Sequence, residues 1–433
     1  MSRVGAVINA PVVPRASTLV IVVAAVAAAA AFMADQPQAA TVSLLVLIGI
    51  IVAVTAPALV IALPLPLAYA YWRIGPESFD MSVADASLLA ATVVALPYVP
   101  WRDRRLQRVL WVVIAYELLL VIPLAAHPTG PAVFEWFHRA LLVGGSLLVG
   151  AALVRLASLR FALRAFVAAS AAMAIISIVF TLTHDLDPAY PLGLQKNAAG
   201  NILAIAVLLG LVTPQLLGLR RWMLVLLEVV LIGGLLSVQS RGSMLAIIVC
   251  LCVWALRRRA RRPSAALTIV LLIVALAATV SLLNEREYQR VIADPNAAEF
   301  SPEKVRQRYY EAGLDLWRSE PFTGGGLRYF NATDDHGGEP HNLAILALAE
   351  GGLFALGGVI VLLGGTYAVL AQVRGPVATI ARLAVLVRVL TGTVDVFWVA
   401  GRMTVPFVLV GAAIALEAER RRAEGAPQQA AHA

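Results

Sequence analysis

His341, Arg241 and Arg306 are the residues of this chain best suited to chemistry. His341 follows Pro340 and precedes Asn342, where an apolar stretch begins. A histidine accepts a proton near neutral pH, and a helix start presents unsatisfied N–H groups that favour an anion. The combination suits a hydroxyl nucleophile attacking a phosphate-linked carbon; the plainer alternative is a histidine that only caps the helix. Arg241 stands in Gln239-Ser240-Arg241-Gly242-Ser243, at the outer end of an apolar run. An arginine there is costly to desolvate without an anionic partner, and its planar fork matches phosphate or carboxylate. Snorkelling to lipid headgroups is the competing reading. Arg306 and Arg308 lie two apart on one helix and so point in different directions, and spacing alone does not choose between them.

Further residues join this set as candidate ligand contacts. Lys196 and Asn197 mark another outer helix start, and Asn342 follows the histidine. Arg328 belongs to the same charged segment as Arg306. Glu350 falls roughly 13 Å below the helix start at ~1.5 Å per residue. A carboxylate that deep needs a partner, and a tie between helices is favoured over a chemical role. Arg388, Asp395 and Arg402 form either an intramembrane network or a helix-end pair. Cys250 and Cys252 lie inside an apolar run and offer no metal spacing and no disulfide framework.

The elements that must position these residues are membrane helices. The chain has 433 residues, 60% hydrophobic and 14% charged, where soluble domains average about 25% charged. Apolar runs near the ~20-residue span length recur, as at 222–239, 264–283 and 342–372. The fold class is an all-α polytopic membrane protein with about 12 to 14 transmembrane helices. The net charge of +8 does not indicate nucleic acid, because the arginines cluster beside spans, as at 102–108, 257–262 and 420–422. Such clusters mark the cytoplasmic face. Spans then pair as 109–126 with 139–155 across an outer turn at 127–138, 165–182 with 201–218, 222–239 with 243–256, and 383–399 with 404–418. The stretch 16–33 is a first span and not a removed signal peptide. Residues 39–74, with Pro57, Pro64 and Pro66, form a tight hairpin or a broken helix.

One segment departs from this pattern. Residues 284–341 hold 11 of the 26 acidic and seven of the 34 basic residues. The chain therefore divides into N-terminal membrane helices over 1–283, an outer loop over 284–341, C-terminal membrane helices over 342–418 and a cytoplasmic tail over 419–433. In the loop, Ser301-Pro302-Glu303 predicts a capped helix start. Val305, Tyr309, Ala312 and Leu316 share one helical face. Pro321 ends that helix, and Gly324-Gly325-Gly326 predicts a flexible turn.

Three pieces in this order resemble the O-antigen ligase and O-antigen polymerase superfamily. They are Gln239-Ser240-Arg241-Gly242-Ser243 after an apolar span; Arg306 to Tyr310, Gly313-Leu314, Trp317, Pro321-Phe322 and the three glycines; and His341-Asn342, Leu346 and Glu350-Gly351-Gly352. The likeness covers about residues 190–370, with Tyr310 standing where tryptophan is common. It implies a metal-independent glycosyltransferase of the C-type membrane fold, with no cofactor, in the bacterial cytoplasmic membrane and with its active site on the outer face. It implies transfer, with inversion, from an undecaprenyl-pyrophosphate-linked glycan to an acceptor hydroxyl. Carried over by position, Arg241 and Arg306 hold the pyrophosphate and His341 activates or orients the acceptor. Arg306 is preferred to Arg308 for its spacing to Tyr310, Gly313 and Pro321. Ligase and polymerase are not separated by these residues.

Two other classes compete. A transporter of the same lipid-linked glycan would concentrate charge at the bilayer midplane rather than in an outer loop. A metal-using polyprenyl-phosphate-sugar transferase would need a tight acidic pair in its first outer loop. Asp35 is the one acid near that turn, and Glu77, Asp80 and Asp85 lie later.

Overall fold

The computed structural model describes residues 51–74, 81–258, 302–332, 338–395 and 397–430, with isolated positions between 270 and 285. The expectations for 16–33, for most of 264–283 and for the capping Ser301 lie outside those residues. The chain divides between Ile61 and Ala62. Of the first unit, residues 51–61 are described and are largely helical.

The second unit is helical apart from a two-residue antiparallel ribbon, Arg73–Ile74 with Met81–Ser82. Its principal helices are α1 (Val83–Ala95), α2 (Arg104–Ala126), α3 (Gly130–Arg155) and α4 (Leu159–Thr183). They continue as α5 (Lys196–Val212), α6 (Arg221–Ser237), α7 (Arg241–Arg258) and α8 (Pro302–Ser319). The last three are α9 (Leu343–Ala371), α10 (Pro376–Gly392) and α11 (Thr404–Ala430). Among the described residues, α2, α3, α4 and α9 are long and apolar enough to cross a membrane, and α5 and α7 are shorter apolar helices. The protein is thus an all-α polytopic membrane protein.

Packing pairs α2 with α9, α3 with α11, and α4 with α6, while α10 touches α5, α7 and α11. The α3–α11 crossing brings backbones together. A Cβ on Gly150 would lie 2.0 Å from the Val408 carbonyl oxygen, and one on Gly411 2.0 Å from that of Leu147. Small residues at such crossings replace the hydrophobic driving force that lipid cannot supply.

Three expectations change. The outer turn predicted at 127–138 shrinks to a few residues, because Thr129 Oγ1 accepts from Ala132 N at 3.2 Å and Pro131 fits the first turn. Glu135, His138 and Arg139 therefore lie inside a span. A five-residue π-helix at Leu141–Gly145 follows them directly, a distortion that often accompanies functional side chains. The span predicted at 383–399 instead runs from Pro376 to Gly392, followed by an irregular segment whose described residues from Asp395 to Met403 are mostly buried. Finally, α9 is broken at Gly351 and Gly352.

Candidate functional site

The break in α9 is where the charged loop segment is locked to the membrane helices. Gly351 and Gly352 leave helical geometry, with φ of −144° and 58°, and this orphans carbonyls that a helix would satisfy internally. The loop supplies the missing donors. Gly325 N donates to Ala349 O at 2.8 Å and Gly326 N to Glu350 O at 3.0 Å, while Leu353 N donates back to Pro321 O at 3.0 Å. The fit tolerates only hydrogen: a Cβ on Gly324 would sit 2.4 Å from Ala349 O, and one on Gly352 2.2 Å from the Phe322 carbonyl. The three-glycine run predicted as a flexible turn is instead a fixed wedge, and its spacing to the Glu350-Gly351-Gly352 motif has this structural cause. Glu320 Oε2 and His127 Nε2, 2.9 Å apart, pin its entry.

Behind the wedge is a charged cavity of about 660 Å³. Arg139 crosses its floor: Nε donates to Glu135 Oε1 at 2.7 Å and Nη2 to Glu350 Oε2 at 2.6 Å. All three are buried, where an unpaired charge is prohibitively costly and a paired one is tolerable. The other Glu350 oxygen accepts from Arg328 N at 2.9 Å. So Glu350 is the interhelical tie expected of it, joining α3, α9 and the loop. His138 Nε2 lies 2.9 Å from Asp85 Oδ1, and Asp85 is fixed by Ser82, whose hydroxyl donates to it at 2.7 Å in a reciprocal cap of α1. The Arg139 guanidinium stands 5.0 Å from the Trp398 ring centroid, and Trp398 stacks on Tyr116 at 5.5 Å. Arg402 also lines the cavity and pairs with Asp395 at 2.6 Å. Arg388 donates to Thr391 Oγ1 and to the Phe397 carbonyl, so it braces the irregular segment beside the Arg402–Asp395 pair. Glu339 completes the rim. Burial, followed by the nearby Glu350 and Glu135 carboxylates, pushes its carboxyl up to about 8.

His341, Tyr310 and Arg306 meet near the start of α9. His341 Nδ1 is 2.9 Å from the Glu339 carbonyl oxygen. A carbonyl only accepts, so Nδ1 carries the hydrogen and Nε2 is the basic nitrogen. The Tyr310 hydroxyl donates to His341 O at 3.1 Å. Burial raises that phenol above its ordinary range and keeps it a donor. Arg306, one turn earlier on α8, is half-buried and acts electrostatically on Tyr310, whereas Arg308 is exposed. Asn342 is committed to architecture: Oδ1 caps α9 at Ala344 N (2.9 Å) and Ile345 N (3.2 Å), and Nδ2 donates to Thr393 O at 3.0 Å. Next to Thr393, the Val394 side chain abuts Gly242, 2.9 Å from its Cβ position. Ser240 Oγ donates to Asn197 Oδ1 at 3.2 Å. A chain of contacts thus links the N-termini of α5, α7 and α9, which carry Lys196, Arg241 and His341.

Arg241, Arg306 and His341 do not line the charged cavity; of the residues singled out from sequence as ligand contacts, Arg328 does. Its guanidinium carbon lies 5.7 Å from the Phe134 ring centroid. Sequence reading passed over Glu135, His138 and Arg139, placing the first two in an outer turn and the third at the start of the following span. A signal was present: Glu135 and Arg139 have the i,i+4 spacing of a helical ion pair.

The fold and these arrangements define a polytopic helical membrane protein with a loop segment wedged into a broken span. Residues 225–360 match the family model described as O-antigen ligase. The match runs from α6 through the first half of α9, and it supports the O-antigen ligase superfamily and glycosyl transfer of the ligase or polymerase type. No curated protein matches the chain.

Proposed function

We propose that the protein is an inverting, metal-independent glycosyltransferase that moves a glycan from undecaprenyl pyrophosphate to an acceptor hydroxyl, on the outer face of the bacterial cytoplasmic membrane. The observation that carries this reading is the His341 ring, oriented by the Glu339 carbonyl so that Nε2 is the base, at the start of a helix linked by contacts to the Arg241 helix start. In the reaction, the acceptor oxygen bonds to the anomeric carbon as its proton passes to Nε2. The bond from that carbon to the pyrophosphate oxygen breaks, and both electrons leave on the phosphate. Attack from the side opposite the leaving group inverts the centre. Arg241 and Arg306 offset the charge growing on the pyrophosphate, with Lys196 and the helix N-termini assisting. Pyrophosphate leaves readily, so one base suffices.

The test is transfer by the purified protein in lipid, with undecaprenyl-pyrophosphate glycan as donor. His341→Gln is expected to lower kcat by about 10²–10⁴-fold with the donor KM little changed, the range for loss of a general base. Arg241→Ala is expected to raise the donor KM, and EDTA to change nothing. Product length assigns the acceptor: a ladder means polymerisation, and a single transfer means ligation. Movement of the lipid-linked glycan across the bilayer without bond formation would refute the reading.

A further inference from the structure

The charged cavity holds none of the three residues assigned to the transfer step, yet its lining comes within two residues of His341. Gln195 and Glu339 line it, one and two residues from Lys196 and His341. Its volume of about 660 Å³ falls within the roughly 300–1,000 Å³ of small-molecule sites. Its lining carries both donors and acceptors: Arg73, His138, Arg139, Arg328 and Arg402 with Asp85, Glu135, Glu339 and Glu350.

We propose that this cavity is a subsite for an uncharged sugar of the glycan, separate from the place where pyrophosphate is held; the choice of ligand rests on the glycosyl-transfer reading. Chemical complementarity carries the assignment. Guanidinium groups only donate and carboxylates only accept, whereas a sugar hydroxyl does both. A wall that offers both matches a polyol better than a simple ion. The positive groups of its deep end are already neutralised in place, Arg139 by Glu135 and Glu350 and Arg402 by Asp395. A phosphate or uronate entering there would face carboxylates without gaining an uncompensated cation. A polyprenyl chain would strand these charges against hydrocarbon. Glu339 supplies the ligand-facing group: it lines the cavity, and its carboxyl makes no hydrogen bond within the described residues. A carboxyl–hydroxyl bond there replaces water without dismantling an existing pair.

The experiment is ligand-observed saturation-transfer NMR on the full-length protein in lipid nanodiscs. The probes are glucose, galactose, mannose, rhamnose and N-acetylglucosamine, then glucuronate and galacturonate, then inorganic pyrophosphate. At least one neutral sugar is expected to bind, and both uronates more weakly by tenfold or more. Glu339→Gln keeps the shape of a side chain without internal partners, and is expected to weaken sugar binding up to about tenfold, the scale of one hydrogen bond. Ala198→Phe, which fills the cavity from the first turn of α5, is expected to abolish it. Neither variant should alter pyrophosphate binding. Failure of every neutral sugar to bind, equal binding of the uronates, or indifference of both variants overturns the assignment. Binding requires no turnover, so sugar binding lost in these variants from a protein that transfers nothing would sink the transferase reading and leave the subsite standing. Transfer that is indifferent to both variants would do the reverse.

Discussion

Replacing Gly352 by alanine should pry the outer loop off the membrane helices. Gly352 holds φ of 58° and ψ of −151°, a region essentially reserved for glycine, where another residue costs about 1–3 kcal/mol. Its new Cβ would also lie 2.2 Å from the Phe322 carbonyl carbon and oxygen. That contact is with backbone and cannot be relieved by a rotamer. The wedge would have to retreat and give up the three backbone hydrogen bonds that join it to the break, from Gly325, Gly326 and Leu353. At roughly 0.5–1.5 kcal/mol each, the total comes to about 3–7 kcal/mol. Since 1.4 kcal/mol is a factor of ten, the opened loop gains population by roughly 10²-fold or more. Arg318 and Arg328 flank the wedge as trypsin sites, and cleavage there tracks the open population when reclosing is fast. Gly357→Ala is the control: it lies in the same helix, and its Cβ would meet nothing within 4 Å. It should be neutral or mildly stabilising, because alanine is the better helix former. A Gly352→Ala protein as resistant to trypsin as Gly357→Ala would refute the wedge as the lock of the loop.

The charged cavity yields two more expected outcomes. Arg139→Met strands Glu135 and Glu350 in a buried site and should cost about 3–5 kcal/mol, while Arg139→Met with Glu135→Leu and Glu350→Leu should recover much of it; thermal melting in detergent compares the two, and an unimpaired single variant would count against the network. The Glu339 carboxyl is harder to ionise in the folded protein than its ordinary value of 4.5, up to about 8. The folded state therefore holds a proton that the unfolded chain releases, and stability falls as pH rises between those values. Glu339→Gln should flatten the pH dependence of the melting temperature across that window, and an unchanged slope would reject the assignment.

How much was legible in the sequence depended on whether a residue's meaning was local. Apolar runs of span length gave the membrane class, because burial in lipid constrains each segment independently of its neighbours. The Pro302–Ser319 helix was legible for the same reason: its faces and its proline start are properties of contiguous residues. The helix starts that carry Lys196, Arg241 and His341 were legible, and the contact chain from Asn197 through Ser240, Val394 and Asn342 links them in a way that sequence order alone does not. The charged cavity was not legible. Glu135 and His138 read as part of an ordinary outer turn, with Arg139 at the edge of the next span, until Thr129 and Pro131 extend the helix through them. Their partners Asp85 and Glu350 are 53 and 211 residues distant. The glycine run failed differently. Three successive glycines mark freedom in an isolated chain, yet here each amide that bonds the break, and each missing Cβ, is used by a helix interrupted at Gly351 and Gly352. The Gly324–Gly326 run and the Glu350-Gly351-Gly352 motif are therefore two halves of one joint, and that joint places Glu350 where it can both hold Arg139 and accept from the Arg328 amide.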